Sequence, residues 1–66
     1  MNLEQLKGNW KQLKGKVKSE FGELTDDEVM QAEGDAQRLA GIVQERYGIT
    51  KEQAEDRVDS FLKKNS

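Results

Sequence analysis

The chain has 66 residues, 33% of them hydrophobic and 36% charged, with a formal net charge of -2 at pH 7. This amounts to one domain at most (residues 1–66) with a small core, since chains this short bury only about 60% of the surface they expose when unfolded. There is no cysteine and no histidine, which excludes disulfides, thiol nucleophiles and thiolate or imidazole metal sites, and no apolar run approaches the ~20 residues of a membrane span; the expectation is a soluble, cytoplasmic protein.

In chain order, Asn2 opens the first predicted helix as N-cap, with Gln5 three residues on to complete a capping box and Met1 and Leu6 placed as a hydrophobic staple. Leu3, Leu6, Trp10, Leu13, Val17 and Phe21 recur every three or four residues, so one apolar stripe runs along a helix from about residue 3 to 21. Trp10 lies on that stripe, which predicts a core anchor rather than a platform for a stacked base. Gly22 is expected to end the helix in the left-handed conformation. Thr25 caps the second helix with Glu28 as box partner and Leu24 and Val29 as staple; its apolar residues are Val29, Met30 and Ala32. Gly34 then interrupts the pattern, and whether it breaks or bends the helix is left open by a cost of only ~1 kcal/mol for an interior glycine. A third segment over 35–47 turns Ala36, Leu39, Ala40, Val43 and Tyr47 inward and ends at Gly48. Thr50 and Gln53 box the last helix, with Ile49 and Ala54 as staple and Ala54, Val58, Phe61 and Leu62 inward.

The six glycines form two triplets with the same seven-residue spacing: Gly8, Gly15, Gly22 and Gly34, Gly41, Gly48. Residues 8–22 set over 34–48 also match Leu13 with Leu39, Val17 with Val43 and Phe21 with Tyr47. The predicted fold is therefore all-α: a small four-helix bundle of two helical hairpins with approximate internal duplication, one repeat over about 3–33 and the other over about 34–64. At 100° per residue Gly8 and Gly15 lie opposite the apolar stripe, as do Gly34 and Gly41 in the second repeat; they permit close helix approach or mark weak points on an exposed face. The spacing matches neither phosphate-binding glycine pattern.

Charge is unevenly divided. Residues 1–22 hold five Lys and two Glu, whereas residues 23–66 hold six Lys or Arg and eleven Asp or Glu. Lys7, Lys11, Lys14 and Lys18 share one helical face beside Trp10 and are the candidate partner-binding residues, able in principle to follow a phosphate backbone. The bland alternative is a solvated face drawn to the acidic last helix with Glu52, Glu55, Asp56 and Asp59. An isoelectric point near 5.1 argues against a dedicated nucleic-acid binder. Asp26, Asp27 and Glu28 sit in the first turn after Thr25, where the helix dipole favours negative charge, so capping explains them better than metal binding. No residue is expected to be catalytic, to bind a cofactor or metal, or to recognise a specific small molecule, and the chain is expected to be a monomer.

Several motifs carry a resemblance beyond these patterns: Asn9-Trp10-Lys11, Lys14-Gly15-Lys16-Val17-Lys18 and Glu45-Arg46-Tyr47-Gly48. They occur together with the run from Gly22 to Asp27 and the run from Gln44 to Glu55, and the chain so resembles the CsbD-like family of small bacterial general-stress proteins, its YjbJ branch in particular. The resemblance covers nearly the whole chain. It implies a cytoplasmic protein induced in stress or stationary phase, a small four-helix fold with an approximate duplication, and no catalytic residues. Many relatives carry Gly-Lys where this chain has Gly41-Ile42, which makes the second helix pair less basic and weakens a symmetrical nucleic-acid model.

Overall fold

The structure, a computed structural model, describes residues 8–65. Every described element is helical: α1 Trp10–Glu20, α2 Asp26–Ala32, α3 Ala36–Tyr47 and α4 Lys51–Lys64. The fold class is all-α. α1 packs on α2 and α3 on α4, as two hairpins joined by contacts between α2 and α3.

Local chemistry explains most boundaries. At the start of α2 the Thr25 hydroxyl accepts the Glu28 N–H at 3.2 Å, and the Glu28 carboxylate accepts the Thr25 N–H at 2.9 Å. Thr50 and Gln53 repeat the arrangement at α4, at 3.1 and 3.0 Å. Both capping boxes therefore satisfy donors that a helix start leaves orphaned. Their staples are seated too, with Leu24, Val29 and Ala54 buried and Ile49 packed against the core. The box at Asn2 and Gln5, the staple of Met1 and Leu6, and residues 3–7 of the expected first helix lie outside the described residues.

Four expectations need correction or refinement. Among the described residues α1 begins at Trp10: Asn9 has left helical geometry (φ -115, ψ 17), and its carbonyl accepts the N–H groups of Gln12 and Leu13. The Asn9 side chain makes no capping hydrogen bond, so this helix start rests on backbone geometry. At the other end the cap is Phe21, and Gly22 does not adopt the left-handed conformation. Phe21 is 3% exposed, its ring 5.8 Å from that of Phe61 and edge-on to Tyr47 at 6.4 Å, so aromatic burial, not a glycine turn, redirects the chain. Gly34 breaks the helix. Glu33 (φ 50) and Gly34 (φ 75) are consecutive left-handed residues, and Asp35 recaps α3 by accepting the Gln37 and Arg38 N–H groups. Gly34 is consequently buried in the turn, whereas its counterpart Gly8 is exposed. Met30 points outward and is 64% exposed, since a seven-residue helix shows the core a narrow face that Val29 and Ala32 fill.

The core is wholly apolar among the described residues. Leu13, Val17, Phe21 and Leu24 meet Val29, Ala32, Ala36, Leu39, Ala40 and Val43, and Ala54, Val58, Phe61 and Leu62 close the far side. Trp10 and Tyr47 are half-buried and pack against this cluster. Of the residue pairs matched by setting 8–22 over 34–48, Leu13, Leu39, Val17 and Val43 are all at most 3% exposed. The third pair differs: Phe21 caps α1 from outside it, whereas Tyr47 is the last residue of α3 and is followed by a left-handed Gly48 (φ 61).

Candidate functional site

The sequence-predicted lysine face is carried by α1, whose buried side is Leu13 and Val17. Lys11 and Lys14, displaced from that side by helical geometry, are exposed. Lys18 is not available in the same way: it is half-buried, and its ammonium donates to the Leu24 carbonyl across the α1–α2 turn. Lys7 lies outside the described residues. Two of the four candidates are thus presented together, and a third is committed to holding the turn. An ion pair joining α1 to α4 has the opposite polarity to the expected attraction, with Lys64 Nζ of α4 3.5 Å from Glu20 Oε1 of α1.

A polar clasp that sequence reasoning missed lies where the α1–α2 turn meets the end of α3. Glu28 uses one carboxylate oxygen for the Thr25 N–H and the other for Arg46 Nε at 2.5 Å. Beside it the Tyr47 hydroxyl accepts the Glu23 N–H at 3.4 Å, and the Arg57 guanidinium of α4 lies 5.1 Å from the centre of the Tyr47 ring. The Thr25 N–H first, and the Arg46 guanidinium next, hold the Glu28 carboxyl below its ordinary value; the hydrogen bond to Glu28 raises Arg46 in turn. Glu28 was legible as a capping residue, but its second partner is eighteen positions away and left no periodic signal. Asp26 and Asp27 remain exposed in the first turn of α2.

Gly8, Gly15 and Gly41 are each exposed, and a methyl group added at any of them would meet open space. Close helix approach within the chain does not explain them. Gly41 borders a surface groove of about 270 Å³ lined by Gln37, Ala40, Gln44, Lys51 and Glu55, smaller than the roughly 300–1,000 Å³ of small-molecule sites. Among the described residues no helix is long and apolar enough to cross a membrane, and no group of three or more Asp or Glu is placed to hold a metal.

Comparison with known proteins adds what this surface alone does not. The CsbD-like family model matches residues 4–56, most of the chain. The chain belongs to the CsbD-like family. A UPF0337 protein of Bordetella pertussis is 57% identical over 65 residues, covering 98% of each chain. The UPF0337 protein YjbJ of Escherichia coli K12 is 49% identical over 65 residues, 98% of this chain and 94% of its own. A UPF0337 protein of Pseudomonas aeruginosa is 52% identical over 61 residues, covering 92% and 94%. No solved structure matches the chain significantly.

Proposed function

We propose that this CsbD-like protein is a non-enzymatic, cytoplasmic stress-response protein that acts as a soluble protective module, shielding other macromolecules when water is scarce. Family membership is the observation that carries the reading. Composition supports it: 36% of residues are charged and the mean hydropathy is -0.98, while every buried side chain among the described residues is apolar. The fold thus spends its few hydrophobic groups on one core and turns its charge to water. The internal duplication, with one repeat over about 3–33 and the other over about 34–64, belongs to the same proposal, as does the monomeric state.

Protection by mass action needs no single site. In a deletion strain complemented by variants, no one substitution on the Lys11 and Lys14 face or the Gly8 and Gly15 face should abolish survival of drying or osmotic shock. Loss of protection through one surface change in a folded, normally expressed variant would overturn the shielding reading, because concentrated energetics mark a defined interface.

The exposure of Lys11 and Lys14 favours a second reading, weak binding of nucleic acid or another acidic partner through Lys7, Lys11, Lys14 and Lys18. Contacts to about four phosphates would give a log-log salt slope near -3 to -4. The fold lowers that number, since Lys18 already has a backbone partner. Titration of labelled DNA and RNA tests it; micromolar binding that disappears on K11Q/K14Q would establish it over shielding.

A further inference from the structure

The exposed thioether of α2 has a chemistry that the shielding reading does not use. The chain has no cysteine and two methionines; of the two, Met30 is described, and it is 64% exposed. A thioether in water is open to two-electron oxidants in proportion to its exposure. Its surroundings add selectivity. Asp26 and Asp27 precede Met30 by four and three residues, the spacing that sets side chains side by side on a helix, and both are exposed. Within a Debye length, roughly 8–10 Å at ordinary salt, two carboxylates repel an approaching anion and leave a neutral molecule unaffected.

We propose that Met30 is a reversible oxidation site for uncharged peroxides. A sulfur lone pair attacks one peroxide oxygen, the O–O bond breaks, and the sulfoxide S–O bond forms. The proton of the transferred oxygen passes to the departing oxyanion, so hydroxide from hydrogen peroxide leaves as water and alkoxide from an alkyl hydroperoxide leaves as an alcohol; sulfur loses two electrons and the peroxide gains them. The fold is built to survive the step. α2 is held by buried Val29 and Ala32 on its opposite side and by the Thr25–Glu28 box at its start, none of which involves the Met30 side chain. Oxidising a buried methionine puts a polar oxygen into a core; here the new oxygen enters water.

The test is residue-resolved mass spectrometry of the full chain treated with hydrogen peroxide at neutral pH, with N-acetylmethionine amide as reference. Trypsin releases residues 19–38 as one peptide containing Met30 as its single methionine and no tryptophan. Met30 should gain one oxygen at a rate within about threefold of the reference, and M30L should gain none in that peptide. The oxidised protein should keep its helical signal and melting temperature, and a methionine sulfoxide reductase should restore the original mass. With the peroxymonosulfate anion, the rate relative to the reference should drop, and high salt or D26N/D27N should recover it. Oxidation more than about tenfold slower than the reference would overturn the proposed accessibility, and melting on oxidation would overturn the proposed tolerance. Equal relative rates with the neutral and anionic oxidants would overturn the selectivity. None of these outcomes bears on shielding, which M30L should leave intact.

Discussion

Glycine substitutions at Gly15, Gly41 and Gly48 should have opposite signs, although all three belong to the same repeat pattern. Gly15 lies inside α1 and Gly41 inside α3, both exposed, and a methyl group at either meets open space. Alanine there removes backbone freedom from the unfolded chain without a clash in the folded one, which stabilises by about 0.5–1 kcal/mol. Gly48 also has open space around it, but its φ of 61 is the left-handed conformation that an alanine methyl disfavours by roughly 1–2 kcal/mol. A domain of this length shifts its melting temperature by about 4–8 °C per kcal/mol. G15A and G41A should therefore each raise Tm by roughly 2–8 °C, with near-additivity in the double variant because the sites lie on different helices. G48A should lower it by roughly 4–16 °C. Thermal melting followed by circular dichroism at the helical minimum is the assay. A destabilising G41A would mean that its face is packed and not open, and a neutral G48A would mean that α3 does not end in a left-handed turn; either result refutes the reasoning.

Gly22 is not left-handed, so G22A should change stability by no more than about 1 kcal/mol, and in the favourable direction; a loss as large as that of G48A in the same melts would contradict the Phe21 cap. Leu39 is fully buried, and L39A should cost about 2–5 kcal/mol, leaving little helical signal at room temperature in so small a domain. W10A should cost less, about 2–3 kcal/mol, because Trp10 is half-buried against the core; wild-type melting would show that the indole contributes no packing. Glu28 has its folded pKa below the ordinary 4.5, so the unfolded chain takes up that proton first. Its contribution is fully present above about pH 4.5 and is lost as pH falls through the folded value. E28Q should flatten that part of the Tm-against-pH curve, and an unchanged acid limb would show that the clasp with Arg46 is not formed in solution.

Much of the fold was legible in residues 21–65 because its signals are local. A threonine that reaches an N–H three residues on, with Glu28 or Gln53 reaching back, defines a helix start whatever surrounds it. The inward faces of α3 and α4 were readable from spacing alone, because long helices repeat their apolar positions often enough to fix a direction. Met30 was named among the apolar residues of the second helix without a side, because α2 has seven residues, too few turns for periodicity to separate the buried side from the exposed one. Of the candidate face, exposure at Lys11 and Lys14 followed from helix geometry, while the loss of Lys18 to the Leu24 carbonyl depended on where the next turn of chain passes.

The sequence by itself determined the all-α class, the boxes at Thr25 and Thr50, the end of α3 at Gly48 and the inward faces of α3 and α4, since each rests on local signals that repeat within about four residues. Tertiary structure alone decided that Phe21 and not Gly22 turns the chain, that Glu28 pairs with Arg46, and that Arg57 covers Tyr47. Those outcomes come from contacts across ten to forty positions. Such contacts form only after the loops between them have closed, so they depend on how the described helices pack together and leave no mark on local spacing.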